Sequence, residues 1–177
     1  NYNFANMSDF NATIDEFGRQ PFVKRVGLAN GMPLSGCNGT SSSYEGKYLL
    51  FRDIVMDSTA FNMLGLEILR DNKLTGDGRY MTEQAMREMD LPMDAPSFHM
   101  GETVIPIAGI LRDFQIGNIT DGISPTMITV VKRSVLGGSR ILLEVEGNPY
   151  TAYMKLQEIH KKTSGGFDFD ATYLDDQ

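Results

Sequence analysis

Acidic residues gather near the C-terminal end of the chain, where carboxylates could bind a cation or cleave a glycosidic bond. Asp168 and Asp170 are two positions apart, and in a strand this spacing places both side chains on one face. Asp175 and Asp176 follow, but the segment lacks the alternating ligands, the glycine and the distal Glu of a calcium loop. We expect a solvated acidic strand, with carbohydrate hydrolysis as an alternative because the distance between two catalytic carboxylates depends on the fold.

The two histidines and the single cysteine do not form a metal-binding or nucleophilic set in the sequence. His99 and His160 lie in different predicted elements and lack the short spacing of zinc ligands. Cys37 lies in a Gly- and Ser-rich stretch without a nearby histidine that could act as its base, and it has no second cysteine for an internal disulfide. We therefore expect no metal, no other cofactor and no catalytic role for these residues.

Glycine-rich segments that could hold a nucleotide phosphate are incomplete. Gly46 and Lys47 are followed by Tyr48, where a phosphate-binding loop needs Ser or Thr. The pair Gly76 and Gly78 begins like a dinucleotide-binding loop, but a methionine stands where the third glycine is needed. The sequence therefore predicts no nucleotide binding.

Five of the eleven methionines fall between residues 81 and 100. Flexible thioether side chains suit an adaptable apolar binding surface. The spacing of Met86 and Met89 equally fits the buried face of a helix. We favour core packing, and we keep as an alternative a free secreted ligand-binding module whose apolar site is formed by this Met-rich segment.

Composition narrows the class of protein further. The 177 residues include 41% hydrophobic side chains, which is enough for a buried core and disfavours disorder. Sixteen basic and 23 acidic residues give a net charge of −7, so nucleic acid is not an expected partner. No run approaches the roughly 18 apolar residues of a membrane span, and no signal peptide is visible. Because the chain starts with Asn1, we expect a soluble piece cut from a longer protein.

The N-terminal end of the chain carries signals for one helix and one strand. Ser8 precedes the apolar residues Phe10, Ile14 and Phe17, whose spacing predicts a helix that ends at Gly18. Residues 22–29 are then predicted to form a strand.

The C-terminal end predicts a β-α-β unit. Residues 140–146 alternate like a strand, Pro149 begins a helix that continues to about residue 163, and residues 167–174 are predicted to form a second strand. The buried stripe of that helix is predicted to consist of Ala152, Leu156 and Ile159.

The middle of the chain mixes strands with short helices. Residues 31–46 are dominated by glycine and small polar side chains, so we expect an exposed, mobile loop that joins two parts of the protein. Residues 91–101 are expected to be irregular because they contain two prolines. Strands are predicted at residues 48–56, 104–113 and 127–133, and short helices are predicted after Asp57 or Ser58 and after Thr82.

Several of these segments resemble, in order, the motifs of one protein family. Residues 107–115, Ile-Ala-Gly-Ile-Leu-Arg-Asp-Phe-Gln, and the Ile-Ser-Pro at 123–125 resemble a V-G-V-V-x-D-F strand followed by I-x-P. Residues 60–69 are similar to the family's aromatic-x-x-L-G-I/L-x-L-L passage, residues 82–86 to its N-E-x-A-A, and residues 20–26 to its x-P-x-V-x-x-V. The family is that of the MacB-like periplasmic core domains of FtsX-type ABC transporter permeases, particularly those of Bacteroidetes.

The resemblance implies an α+β fold made of two subdomains. A discontinuous Porter-like β-α-β subdomain would comprise residues 1–33 and 139–177, and a mixed α/β Sabre-like subdomain, residues 34–138, would be inserted into it. The domain has no catalytic set in this family, so the motif residues are expected to be structural. These residues are Gly109, Asp113, Phe114 and Pro125. For Asp113 we expect a carboxylate that accepts backbone N–H groups in the turn after its strand.

The resemblance also implies a function and partners. The chain would be the periplasmic domain of a bacterial inner-membrane permease, and it would couple ATP-driven motion of the membrane helices to substrate export or to extracytoplasmic signalling. An ABC ATPase would act through the transmembrane part, and a second permease copy would complete the transporter. A periplasmic partner or a peptide or lipid cargo is the expected ligand.

Overall fold

The computed structural model describes residues 7–31, 38–44, 47–74, 78–114, 123–136, 140–164 and 168–173. Within these residues, nine strands and four α-helices form a mixed α/β fold, which confirms the predicted fold class. In chain order the elements are α1 (Met7–Gly18), β1 (Val23–Asn30), β2 (Asn38–Tyr44), β3 (Lys47–Asp57), α2 (Ser58–Met63), β4 (Ile68–Asp71), β5 (Arg79–Thr82), α3 (Glu83–Glu88), β6 (Ser97–Met100), β7 (Thr103–Leu111), β8 (Thr126–Val131), β9 (Arg140–Val145) and α4 (Pro149–Thr163).

The strands form one mixed sheet. Its main path runs β4-β7-β5-β8-β3-β1-β9, with β2 paired to β3 and β6 paired to β7 beside that path. The pairs β3–β8 and β5–β7 are parallel, and the other strand pairs are antiparallel. The sheet therefore joins the strands of both chain ends to those of the middle of the chain.

Three of the helices begin where the sequence predicts them, because a polar side chain accepts a backbone N–H of the first turn. Asp57 accepts the N–H of Ala60 at 2.7 Å and starts α2. Thr82 starts α3 in the same way, and Asn148 starts α4 immediately before Pro149.

Three clusters of buried side chains form the core. Neighbouring residues of β8 point to opposite faces of the sheet, so Met127 belongs to the first cluster and Ile128 to the second. The first cluster lies beside α3 and includes Phe51, Met81, Met86 and Phe98. The second cluster lies beside α2 and includes Ile54, Met56, Phe61 and Leu111. The third cluster lies under α1 and includes Phe10, Ile14, Leu28 and Leu136.

The two chain ends pack against each other. β1 pairs with β9 along most of its length, and α1 packs on α4, where the Thr13 and Thr163 hydroxyls are 2.7 Å apart. The helix and strand predicted at each end are present. The boundary between the two predicted subdomains stays a prediction.

Two segments predicted to be irregular contain strands. Residues 38–44 lie inside the predicted mobile loop but form β2, whose backbone pairs with β3 along seven register positions. The pairing satisfies the backbone groups of β2, and Leu49 and Phe51 of the partner strand β3 are buried. Residues 97–100 form β6 because Phe98 is buried and Gly101 supplies the positive φ of a tight turn back into β7. The other residues of the predicted loop, 32–37 and 45–46, lie outside the described residues.

The second strand predicted at the C-terminal end is also wrong for the part that the structure describes. Residues 168–173 run without pairing to the sheet. Phe169 instead packs edge-on against Tyr153, and the Tyr173 hydroxyl donates to the carbonyl of Pro149 at 3.0 Å. Aromatic contacts with α4 therefore hold this segment in place of a strand ladder.

Candidate functional site

Asp113 follows β7 and binds the first turn of α3. Its Oδ1 accepts the backbone N–H of Gln84 at 2.6 Å, and its Oδ2 pairs with the Arg87 guanidinium. Its own backbone N–H donates to the Glu83 carboxylate at 3.3 Å. The described partners of this carboxylate lie in α3, because the strand ends beside the helix N-terminus, where negative charge is favourable. The predicted contacts in the turn after the strand fall on residues 115–122, which lie outside the described residues.

Gly109 lies in β7 between β4 and β5, where there is no room for a side chain. A Cβ at this position would lie 2.9 Å from Cε1 of Tyr80 and would also overlap the carbonyl oxygen of Arg70. The Tyr80 ring in turn stacks on Phe61 with 4.7 Å between the ring centroids. Glycine is therefore needed here for a close approach of strands and an aromatic ring.

Phe114 and Pro125 flank a part of the chain that the structure does not describe. Phe114 is half-buried and packs against the second core cluster. Pro125 is buried just before β8, and its carbonyl accepts the N–H of Arg52 at 2.8 Å, which extends the β3–β8 ladder. Proline is tolerated there because it stands at the start of the strand. The four motif positions make structural contacts, and the absence of a catalytic role stays a prediction.

The acidic pair Asp168 and Asp170 is exposed on both sides of the half-buried Phe169. Asp168 and Phe169 line a groove of about 750 Å³ together with residues of α4 from Thr151 to Lys161. Among the residues that the structure describes, no group of three His, Cys, Asp or Glu side chains could hold a metal ion. Asp175 and Asp176 lie outside the described residues. The predicted alternation of side chains is present, but it occurs along a segment that packs on a helix.

The two histidines have opposite surroundings. His99 is exposed on β6, whereas His160 is 3% exposed in the last turn of α4, with its ring 5.3 Å from that of Phe169. Burial lowers the pKa of His160, because a charged imidazole loses hydration there. The prediction missed this burial and assigned the inner face to Ile159. The spacing of Ala152, Leu156 and His160, four residues apart, was the available signal. Cys37 lies outside the described residues.

The Met-rich segment contributes mainly to the core. Met81, Met86 and Met89 are buried in the first cluster, whereas Met93 is 42% exposed and Met100 is half-buried. Core packing, the favoured interpretation, is therefore confirmed for the three methionines nearest α3. The three buried methionines are enclosed by the sheet and α3, and the apolar site of the alternative module stays a prediction.

A second carboxylate, Asp57, forms an ion pair with an arginine, and the sequence did not indicate this pair. Asp57, 4% exposed, caps α2 through Oδ1 and pairs through Oδ2 with Nε of Arg133 at 2.8 Å. The same guanidinium donates to the carbonyl of Val26 in β1. The cap at Asp57 was predicted, but nothing in the sequence links it to Arg133, which is 76 positions away.

No protein-family model and no curated protein sequence matches the chain. Solved structures do match. The periplasmic region of MacB from Actinobacillus actinomycetemcomitans has a TM-score of 0.59 at 14% identity, covering 88% of this chain and 74% of MacB's. The chain has the fold of the MacB periplasmic domain. This confirms, for the fold, the resemblance found in the sequence.

Two further structures support the same MacB-like fold. The extracellular domain of YknZ, an ABC-type transporter of Gram-positive bacteria, has a TM-score of 0.62 at 9% identity, covering 88% of this chain and 83% of that one. A domain of a permease protein from Porphyromonas gingivalis has a TM-score of 0.56 at 15% identity, with 85% and 75% coverage. In the described part of the chain, none of the helices is long and apolar enough to cross a membrane.

Proposed function

We propose that the chain is the extracytoplasmic domain of a bacterial ABC transporter permease and that it is not itself catalytic. The observation that carries the proposal is the shared fold. Three solved structures with this fold are described as the periplasmic, extracellular or permease domains of such proteins, and each is covered over about three quarters or more of its length. The ordered motif resemblance at residues 20–26, 60–69, 82–86 and 107–125 supports the same assignment independently.

In this proposal the domain couples ATP-driven motion of membrane helices to substrate export or to signalling in the periplasm. An ABC ATPase subunit acts through the transmembrane part, and a second permease copy completes the transporter. The partner outside the membrane is a periplasmic protein or a peptide or lipid cargo. A sheet that runs from the strands of both chain ends to those of the middle of the chain suits a domain that passes movement on.

The proposed subdomain boundaries follow the contacts of the chain ends. Residues 1–33 and 139–177 form the Porter-like part, supported by the β1–β9 ladder and by the packing of α1 on α4. Residues 34–138 form the Sabre-like part, which holds the first core cluster and most of the second.

The test is a domain replacement in the complete gene product. The gene should encode hydrophobic segments on both sides of these residues and should lie near a gene for an ABC ATPase. Replacing residues 7–173 by a short Gly-Ser linker should leave membrane insertion and ATPase binding intact, and it should abolish ATP-dependent export or signalling. A matched variant, Arg112→Met, which breaks only an exposed ion pair with Glu67, should keep full activity.

Two results would contradict the proposal. One is a gene that encodes no hydrophobic segment next to these residues. The other is a linker variant that exports or signals as well as the intact protein, because a coupling domain cannot be dispensable. Hydrolysis of a glycoside that is abolished by Asp168→Asn or Asp170→Asn would instead support the enzyme alternative.

A further inference from the structure

Two halves of the molecule meet at a junction that consists of a short sheet ladder and of side chains shared by two core clusters. The terminal half comprises α1, β1, β9 and α4, and the inserted half comprises the other elements. In the described residues, the sheet connects the halves only through β1 and β3, whose antiparallel ladder consists of the register pairs Ala29 with Met56 and Asn30 with Val55. By comparison, β1 and β9 pair along nearly the whole of both strands. A ladder this short is a weak mechanical connection on its own.

The helix α2 reinforces this junction from the side of the inserted half. It packs on β1 so closely that a Cβ at Gly27 would lie 2.7 Å from the backbone N of Ala60. Such contacts require both backbones to keep a fixed separation, because neither partner is a flexible side chain. The position of α2 in turn depends on Asp57, whose carboxylate caps the helix.

Arg133 ties these parts together. It lies in the short 3₁₀-helix Arg133–Val135 between β8 and β9, so it belongs to the stretch in which the chain returns to the terminal half. Nε pairs with the buried Asp57 at the end of β3, and a terminal guanidinium nitrogen donates to the Val26 carbonyl in β1. A planar guanidinium can serve both acceptors at once, which a lysine ammonium on a flexible stem does less well.

We propose that Arg133 is a latch that holds the two halves of the sheet together so that they move as one body. It bridges the terminal half at Val26 and the inserted half at Asp57, next to the only ladder that joins the halves in the described residues. The latch is formed by residues within this chain, so it does not depend on the proposed function. Its use in passing movement from the membrane to the inserted half rests on the proposed function.

The experiment measures the distance between the halves in the isolated 177-residue chain. Spin labels are attached in a Cys37→Ser background to cysteines that replace Gln157, exposed on α4, and Glu102, exposed in the β6–β7 turn. The unaltered junction should give one narrow distance distribution. Arg133→Met should broaden it while α3 and α4 stay folded. The control Arg112→Met, which removes an exposed ion pair within the inserted half, should leave it narrow.

Hydrogen exchange supplies a second readout. In Arg133→Met, the amides of the β1–β3 ladder should exchange at least about tenfold faster, because the buried Asp57 carboxylate has lost its donor. Arg133→Lys, which keeps one donor but cannot serve both acceptors as well, should give a smaller increase. Amides of the β6–β7 hairpin should keep their rates. An unbroadened distance distribution together with unchanged exchange in the β1–β3 ladder would overturn the latch, and it would leave the proposed function untouched because no transporter is involved.

A disulfide variant tests the latch if Arg133→Met alone fails to fold. Cysteines that replace the register partners Asn30 and Val55 are within disulfide reach across an antiparallel ladder. In the Cys37→Ser and Arg133→Met background, oxidation should restore the slow exchange of the ladder and reduction should abolish it again. If the oxidised protein remains unfolded, the defect is not a loss of connection between the halves, and the latch is refuted.

Discussion

Two carboxylates, Asp57 and Asp113, make nearly the same kinds of contact in two places of the molecule. They differ in how far along the chain their partners lie. Asp57 is the last residue of β3 and Asp113 follows β7. Each accepts a backbone N–H in the first turn of a short helix, and each pairs with an arginine. The arginine of Asp113 belongs to the same helix, α3, whereas that of Asp57 comes from the segment before β9. The first carboxylate site therefore joins distant parts of the chain, and the second orients a single helix.

The carboxylate with the more distant arginine, Asp57, is also the more buried of the two. The side chain of Asp57 is 5% exposed and that of Asp113 is 12% exposed, while both arginines are about half exposed. A charged group that is almost fully enclosed depends on its partners, because water cannot replace them. We therefore expect the loss of Asp57 to cost more stability than the loss of Asp113, although the two sites use the same chemistry.

The largest effect is expected for Asp57→Ala. The substitution removes the α2 cap and the buried partner of Arg133, so the free energy of unfolding should fall by about 4 kcal/mol. Chemical denaturation of the 177-residue chain measures this. Asp57→Asn is the matched control, because it keeps an acceptor for the Ala60 N–H and should cost less. A loss no greater than that of Asp113→Ala would refute the difference between the two sites.

A smaller effect is expected at the glycines beside the two sites. Gly27→Ala should cost about 3 kcal/mol, because the new methyl group meets the backbone of α2 at the junction. Gly109→Ala should cost about 1 to 2 kcal/mol, because it displaces β4, an exposed edge strand that can shift. Thermal melting of both variants tests the order. Gly65→Ala tests strain alone, since Gly65 has a positive φ and open space around it.

Asp113→Ala is expected to cost about 1 kcal/mol, because Arg87 can be solvated and only the N–H of Gln84 loses a partly buried acceptor. The loss should be confined to α3, which hydrogen exchange of that helix would show. Asp113→Asn should recover part of it by keeping an acceptor for the Gln84 N–H. An unchanged unfolding midpoint for Asp113→Ala would show that the carboxylate does not hold the helix.

Local signals predicted most of the elements that surround these sites. A polar residue before an apolar run marks a helix start in any context, so the caps at Asp57, Thr82 and the residue before Pro149 could be found from the sequence. Alternating or β-branched runs marked β3, β7, β8 and β9 in the same way. These features depend on neighbours within four positions along the chain.

Features that depend on distant partners could not be found in this way. Apart from Tyr44, the strand β2 consists of glycine, serine and other small polar residues, and only its pairing with β3 makes it a strand. The pairing of Asp57 with Arg133 and the bond from Asp113 to α3 join residues 76 and 29 positions apart. Propensity carries no information about such pairs, because they exist only once the sheet has brought their elements together.

The smallest effect is expected from acid, which should act on the terminal half first. Burial lowers the pKa of His160, so the folded chain holds this imidazole neutral at a pH where the unfolded chain protonates it. The unfolded state then binds more protons, and stability should fall as the pH drops below about 6.5, the ordinary pKa of histidine. The loss should level off below the lowered pKa of the folded state. Unfolding curves between pH 7 and pH 5 measure it.

Two variants separate His160 from the other groups. His160→Gln should remove the pH dependence in this range, whereas His99→Gln should retain it, because His99 is exposed. Lys155, Glu158, Lys161 and Asp168 are the charged residues that line the groove beside His160. His160 lies in α4 of the terminal half, and α3 belongs to the inserted half. If the latch at Arg133 holds the halves together, lowering the pH should speed up amide exchange in both helices. In Arg133→Met, acid should quicken exchange in α4 alone, and a response of both helices in that variant would show that another contact couples the halves.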